Sequence, residues 1–142
     1  VADKEASGGL RAGALKLMAS QHPKSPEFAA SLDLALGKKS PSDLRREGLR
    51  RIFVHQPDHA VAEASAVLES GDTTTKQLAL ALLSTSKDNA VISHWLDQLA
   101  QNKAPAAIQL DILEAAATRE SLKDKLATVQ LNNAELLEGG DV

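Results

Sequence analysis

The sequence of 142 residues predicts an all-α protein built from stacked helical hairpins, and three observations support this prediction. A short phrase recurs along the chain, and the leucines that end its copies, Leu15, Leu49, Leu80 and Leu113, lie 34, 31 and 33 residues apart. Hydrophobic residues make up 43% of the chain but aromatic residues only 2%, which favours closely packed helices over a β-sandwich. Apolar residues recur at helical spacings of three and four. A near-constant period of this length is typical of a short α-solenoid, here of about four antiparallel hairpins.

Start and stop signals place eight helices in order. The first is expected at residues 9–20 and the fifth at residues 73–84. The other starts carry Ser, Asp, Thr or Pro, which cap or open helices: Ser25-Pro26-Glu27, Ser40-Pro41-Ser42-Asp43, Pro57, Asp88, Pro105 and Thr118. Glycines stop the second and fourth helices at Gly37 and Gly71, and the third ends near His55. Connections this short make successive helices antiparallel neighbours.

The apolar stripes of these helices define a predicted core. Its members recur on one face of each helix: Phe28, Leu32, Ala35, Leu36, Leu44, Leu49, Ile52, Phe53, Val61, Ala64, Val67, Leu68, Leu78, Leu80, Leu82, Leu83, Ile92, Trp95, Leu96, Leu99, Ile108, Leu110, Ile112, Leu113, Leu122, Leu126 and Val129. Trp95 is favoured as a core residue over an exposed contact on a concave face. Gly48 is expected where two helices pack closely. After Val129 the pattern frays, so residues 131–142 are expected to be a linker or tail, residues 1–8 a flexible segment, and residues 9–130 the repeat domain.

Composition excludes several kinds of chemistry within the chain. Because it contains no cysteine, it has no thiolate nucleophile, zinc–thiolate site or covalent c-type haem attachment. A formal net charge of −3 gives no global reason to expect nucleic acid. No apolar run approaches the roughly 20 residues that span a bilayer. No catalytic triad, Gly-rich phosphate loop or paired carboxylates in a recognisable cleft can be identified. We therefore expect no catalytic residue, no cofactor, no metal and no membrane as partner, and we expect the chain, which starts at Val1, to be a piece of something longer.

Two histidines have the spacing of a metal pair. His55 and His59 are four residues apart, which on one helix would place both imidazoles on the same face. Pro57 lies between them at a predicted helix start, so the two are expected on different helices. No HExxH pattern completes a site. Ordinary connection histidines are the favoured interpretation.

Basic residues are concentrated around the third helix. Lys38, Lys39, Arg45, Arg46, Arg50 and Arg51 account for six of the sixteen Lys and Arg residues. Arg46 and Arg50, four apart, share a stripe that could contact phosphates, as some DNA-repair solenoids do. Aromatic stacking residues are missing, so a solvated face or intramolecular pairing is favoured.

Basic or polar residues also recur at one position of the repeat. Arg11, Arg45, Lys76 and Gln109 occupy this position, and stacking would align them within reach of Asp72 or Asp43. An inter-repeat polar ladder is favoured over a partner-binding ladder. The candidate interaction surface drawn from the basic cluster and the ladder consists of Arg46, Arg50, Arg45 and Lys76.

The repeated phrase resembles a HEAT repeat. It reads Leu10-Arg11-Ala12-Gly13-Ala14-Leu15 and Leu44-Arg45-Arg46-Glu47-Gly48-Leu49, with prolines opening helices. Residues from about Ser40 to Gly140 are similar to the helical-repeat region of large bacterial haem-binding, dehydrogenase-like proteins. The resemblance rests on Trp95-Leu96-Asp97-Gln98-Leu99, on the run from Pro105 through Gln109-Leu110-Asp111-Ile112-Leu113-Glu114-Ala115-Ala116, and on Gly139-Gly140-Asp141.

The resemblance implies a place within a larger protein. In that family a propeller similar to sorbosone or glucose dehydrogenases comes first, the repeats follow, and a c-type cytochrome domain comes last. It therefore implies a non-catalytic spacer or protein-interaction module, contacting flanking domains or another protein, in an extracytoplasmic, periplasmic location. The alternatives are a free-standing protein-binding adaptor, a phosphate- or DNA-binding solenoid, and an enzyme fragment whose site the sequence does not reveal. The negative net charge disfavours nucleic-acid binding.

Overall fold

The computed structural model describes the backbone of residues 8–140 and the side chains of residues 9–132. Over this range the chain contains eight α-helices and no strand, which confirms the predicted all-α fold. The helices are α1 Gly8–Gln21, α2 Pro26–Leu36, α3 Ser42–His55, α4 Pro57–Ser70, α5 Thr73–Thr85, α6 Ala90–Ala100, α7 Gln109–Ala117 and α8 Lys123–Gly140. A 3-10 turn at Ala106–Ile108 precedes α7, and another at Glu120–Leu122 precedes α8.

The chain divides into two compact units, Val1–Ala79 and Leu80–Val142, so that the boundary lies within α5. In the first unit α3 is the central helix and contacts α1, α2 and α4. In the second unit α6, α7 and α8 contact one another. The contacts of α3 with both α1 and α2 are those expected when one helical hairpin packs on the next.

Two of the predicted helix caps are confirmed by their hydrogen bonds. The Phe28 amide donates to Ser25 Oγ at 3.1 Å at the start of α2. The Val91 amide donates to Asp88 Oδ2 at 2.9 Å at the start of α6. In both cases a side-chain oxygen accepts from the backbone three residues later, which satisfies one of the amides that a helix N-terminus leaves open.

Two other predicted caps are wrong. Ser40, like Asp88, lies two residues before the first residue of its helix, but its buried hydroxyl has no hydrogen-bond partner and so caps nothing. Thr118 was expected to open the last helix, but its Oγ1 donates to the Ala115 carbonyl at 2.6 Å and so completes the end of α7. Ser and Thr bond to nearby backbone groups on either side of a helix end, and the residue type does not say which.

The C-terminal part of the chain continues as helix. The apolar pattern ends at Val129, yet α8 extends to Gly140, so most of the expected linker at residues 131–142 has helical backbone. Asp141 and Val142 lie outside the described residues. The expected flexible segment 1–8 also lies outside them, except for Gly8, which begins α1.

Leucine, isoleucine and alanine form most of the core. On α6 all four predicted residues are buried, and Trp95, at 6% exposure, is confirmed as a core residue whose ring meets His94 edge-to-face. The prediction for Leu110 is wrong, since its side chain is 67% exposed. Buried alanines that the pattern missed lie on four helices: Ala60, Ala79, Ala115 and Ala116 among them. Small residues are buried where helix backbones approach each other, and hydrophobicity alone does not identify them.

Gly48 of α3 lies against α2, as predicted. A Cβ atom added at Gly48 would be 3.0 Å from Ala35 Cβ and 3.4 Å from Leu36 Cγ. The missing side chain therefore allows the close approach of α2 and α3.

Candidate functional site

The α3 arginine cluster, defined as Arg45, Arg46, Arg50 and Arg51, contains three of the four residues of the predicted interaction surface. Arg45 is buried, with 6% exposure, so the prediction that it belongs to an exposed surface is wrong. Its Nη2 donates to Ser70 Oγ at 3.4 Å, and its Nε has no hydrogen-bond partner. Arg45 therefore joins α3 to the end of α4 within one hairpin.

Arg46 is directed toward the connection between α4 and α5. Its Nη1 donates to Thr75 Oγ1 at 3.4 Å and lies 3.9 Å from Asp72 Oδ2. Asp72 in turn accepts from the Thr75 amide at 2.8 Å, which is the geometry of an N-cap on α5. Thr75 is almost completely buried, at 1% exposure. These groups hold the first turn of α5 against α3.

The hydrogen bonds around Asp72 stabilise its charged form. The pKa of Asp72 is lowered to about 2, first by a hydrogen bond from the Ser42 side chain and then by the side chain and amide of Thr75. The charge of Arg46 lowers it further by a smaller amount. Hydrogen bonds to the ionised carboxylate favour that form, so Asp72 stays charged well below neutral pH.

Arg50 and Arg51 share one carboxylate. Glu47, whose side chain is 10% exposed, lies 3.3 Å from Arg50 Nη1 and 2.8 Å from Arg51 Nε. The Arg51 N–H is not aligned with the carboxylate oxygen, so this short contact is an ion pair rather than a hydrogen bond. Arg50 is the most exposed of the cluster, with 46% of its side chain accessible. Most of the cluster's charge is therefore engaged within the molecule.

The predicted polar ladder is not formed by the residues expected. Arg46, rather than Arg45, reaches Asp72, since the two neighbouring side chains point to different sides of α3. Gln109 Nε2 donates to the Ala104 carbonyl at 3.4 Å, five residues away along the chain. Lys76 is half-buried on α5. The contacts of Arg45 and Gln109 are thus local to their own hairpins.

Arg119 is the polar residue that the sequence analysis missed. Its Nη2 donates to the carbonyls of Leu83 at 2.6 Å and Ser86 at 2.5 Å, and its Nη1 donates to the Ser84 carbonyl at 3.2 Å. Further bonds run from Nε to the Asp88 carbonyl at 3.0 Å and from Nη1 to Thr118 Oγ1 at 3.3 Å.

The guanidinium of Arg119 therefore uses all five of its N–H groups. Four of the acceptors are carbonyls at the end of α5 and in the α5–α6 connection, groups that a helix C-terminus leaves without intrahelical donors. Nothing in the local sequence marks Arg119, because its four carbonyl partners lie more than 30 residues earlier in the chain.

The histidines lie on separate helices, as predicted. His55 is the last residue of α3 and meets the Phe28 ring edge-to-face, with ring centroids 5.2 Å apart. His59 is exposed near the start of α4. Among the side chains that the structure describes, no group of three or more His, Cys, Asp or Glu is arranged to hold a metal ion.

The second unit contains a cavity of about 260 Å³. It is lined by Ala81, Ser84, Asp111, Glu114, Ala115 and Thr118. The Ser84 and Thr118 hydroxyls donate to the carbonyls of Leu80 and Ala115 in their own helices. Both hydroxyls of the lining are therefore hydrogen-bonded within their own helices.

Comparison with known proteins gives no relative: no family model, no curated protein and no solved structure matches the chain. None of the helices within residues 8–140 is long and apolar enough to cross a membrane. What the chain defines is therefore a class of architecture, an all-α protein of packed helical hairpins.

Proposed function

We propose that this chain is a non-catalytic helical-repeat module that acts as a stiff spacer or interaction surface within a larger protein. The proposal rests on the hydrogen bonds and ion pairs by which polar side chains join successive helices. Arg119 joins the α5–α6 connection to the segment between α7 and α8, and Asp72 with Arg46 joins the α4–α5 connection to α3. Such bonds fix the geometry between successive helices, which a spacer requires and a flexible linker lacks.

The parent protein that we propose is the bacterial, extracytoplasmic haem-binding dehydrogenase-like type named by the sequence resemblance. The support for it is the Gln109–Ala116 stretch and the terminal Gly139-Gly140-Asp141. In that setting the module would hold a propeller and a cytochrome domain at a fixed separation. A free-standing adaptor is the second candidate, favoured by exposed leucines such as Leu34, whose side chain is 65% exposed.

Phosphate or DNA binding is disfavoured by the contacts of the α3 arginine cluster. Arg45 is buried, Arg46 is bound to Thr75 and Asp72, and Arg50 and Arg51 share Glu47. Phosphate contacts would have to compete with these intramolecular partners. Titration with duplex DNA at about 50 mM and 200 mM salt tests the point, because binding through phosphates weakens steeply with salt. Tight binding at the higher salt would contradict the proposed role.

Stiffness can be measured by pulsed electron paramagnetic resonance, since the absence of native cysteine allows clean labelling at introduced cysteines. One label pair, Leu34→Cys with Leu110→Cys, places an exposed label in each unit. The control pair, Lys16→Cys with Leu34→Cys, lies within the first unit and gives the width of a distance distribution for a rigid body. A spacer predicts that the two distributions are equally narrow. A much broader distribution for the first pair would refute the stiff-spacer role.

A further inference from the structure

Helix α1 has apolar residues on two opposite sides. Leu15 and Ala19 face the core, with 1% and 4% exposure. Leu10 and Leu17 lie on the other side and are 68% and 56% exposed. At 100° per residue the stripe formed by residues 10, 13, 14 and 17 lies opposite the buried one. An apolar stripe of a helix is typically the face that packs against another element.

The repeat shows which surface of α3 is equivalent to the exposed side of α1. The phrases that end at Leu15 and Leu49 align Leu10 with Leu44 and Ala14 with Gly48. Leu44 is only 2% exposed in α3, and Gly48 packs against Ala35 and Leu36 of α2. The positions of Leu10 and Ala14, which belong to the outer side of α1, are therefore buried in α3, and at Gly48 the neighbour is the preceding hairpin. The two surfaces occupy the same position of the repeat: α2 packs against it on α3, and on α1 the side chains of Leu10 and Leu17 are exposed.

We propose that the outer stripe of α1, defined as Leu10, Gly13, Ala14 and Leu17, is a docking surface for another helical hairpin of the same repeat type. This inference rests on the proposed role as an interaction module, and it names the surface and the partner. The partner would contribute its second helix, as α2 does toward α3. A second copy of this chain does not offer that helix face, because α3 already buries Ala35 and Leu36, which are 1% and 7% exposed.

The stripe also specifies a residue of the partner. A Cβ at the Gly48 position would be 3.0 Å from Ala35 Cβ, and α1 carries such a Cβ at Ala14. An alanine of the partner at the position of Ala35 would therefore be crowded, whereas glycine would fit. We expect the best partner helix to present glycine followed by leucine.

The test adds a hairpin to the full chain. A second copy of residues 8–41, comprising α1, α2 and their following connection, is inserted directly before Gly8, with Ala35→Gly in the added copy only. The added hairpin is expected to raise the urea midpoint. Leu10→Ser in the original α1 is expected to increase the unfolding equilibrium constant about tenfold or more in the extended chain, because Leu10 becomes buried there. In the unextended chain the same change should stay within about twofold, since the side chain is already mostly exposed.

Controls separate this inference from its rivals. Lys16→Ser, at an exposed position of α1 outside the stripe, should change neither chain. An equal effect of Leu10→Ser on both chains would overturn the docking surface. A dimer of the unextended chain that Leu10→Ser converts to monomer would overturn it in favour of self-association. Neither result bears on the spin-label distributions, so failure of the docking surface and failure of the spacer role are distinguishable.

Discussion

Gly48 offers the sharpest test of helix packing in the first unit. Replacing glycine by alanine inside a helix ordinarily stabilises it by about 0.8–1 kcal/mol. At Gly48 the new Cβ would lie 3.0 Å from Ala35 Cβ and 3.4 Å from two atoms of Leu36, so α2 and α3 must separate by a few tenths of an ångström. Overpacking of this kind costs roughly 1–3 kcal/mol. We therefore expect Gly48→Ala to leave the free energy of unfolding unchanged or to lower it, and Gly48→Leu to lower it by about 1–3 kcal/mol.

Gly13 of α1 is the matched control. It is also a helical glycine, but apart from the backbone of its own helix and its chain neighbours, no described atom lies within 4 Å of the position that its Cβ would take. Gly13→Ala should therefore raise the free energy of unfolding by about 1 kcal/mol, the full difference in helix propensity between glycine and alanine. Both variants change helix propensity by the same amount. The difference between their changes in unfolding free energy therefore measures the contact of the new methyl group with Ala35 and Leu36.

Urea unfolding followed by far-ultraviolet circular dichroism measures both variants. Ala35→Gly combined with Gly48→Ala should recover part of the loss, which a double-mutant cycle detects as a coupling energy. Equal stabilisation by Gly48→Ala and Gly13→Ala, or an unchanged midpoint for Gly48→Leu, would show that α2 and α3 are not in close contact at this position.

Three further predictions concern the polar groups. Arg119→Lys should destabilise the second unit by about 2–4 kcal/mol, because several part-buried carbonyls lose their donors. Urea unfolding followed by Trp95 fluorescence measures this, and the exposed Lys123→Ala should change the unfolding free energy by less than about 0.5 kcal/mol. Ser25→Ala should lower the free energy of unfolding by about 1 kcal/mol, because it removes a helix cap. Ser40→Ala should be neutral or stabilising, because the Ser40 hydroxyl is buried without a hydrogen-bond partner. The reverse order of their urea midpoints would contradict the assigned caps. The pKa of Asp72 is lowered to about 2, so its ionised form stabilises the folded state. Because its side chain is 45% exposed and screened by solvent, this should add less than about 1 kcal/mol to the free energy of unfolding. This stabilisation is fully present above about pH 4, the pKa of Asp72 in the unfolded chain, and is lost as the pH falls toward 2. The difference in unfolding free energy between wild type and Asp72→Asn should therefore shrink between pH 4 and pH 2. A constant difference would refute the hydrogen bonds assigned to Asp72.

Local signals in the sequence were sufficient for the helices themselves. Ser25, Asp88, Gly37 and Gly71 mark helix ends through hydrogen bonds and backbone preferences that span only a few residues. The burial of Trp95 and the close packing at Gly48 also followed from helical spacing. These features depend on periodicity and on neighbours within one or two turns, and both can be read along the chain.

The polar contacts depended on tertiary structure. Sequence spacing placed Arg45 and Arg46 equally well on a basic surface, but only the rotation of α3 decided that Arg45 is buried against Ser70 and that Arg46 reaches Asp72. No sequence pattern indicated Arg119, since four of its five acceptors are backbone carbonyls, which every residue has. The sequence by itself determined an all-α chain of repeated helices and the residues that begin and end most of them. Which side chains join one hairpin to the next was decided only by the packed structure, because such contacts depend on the rotation and separation of helices that are distant in sequence.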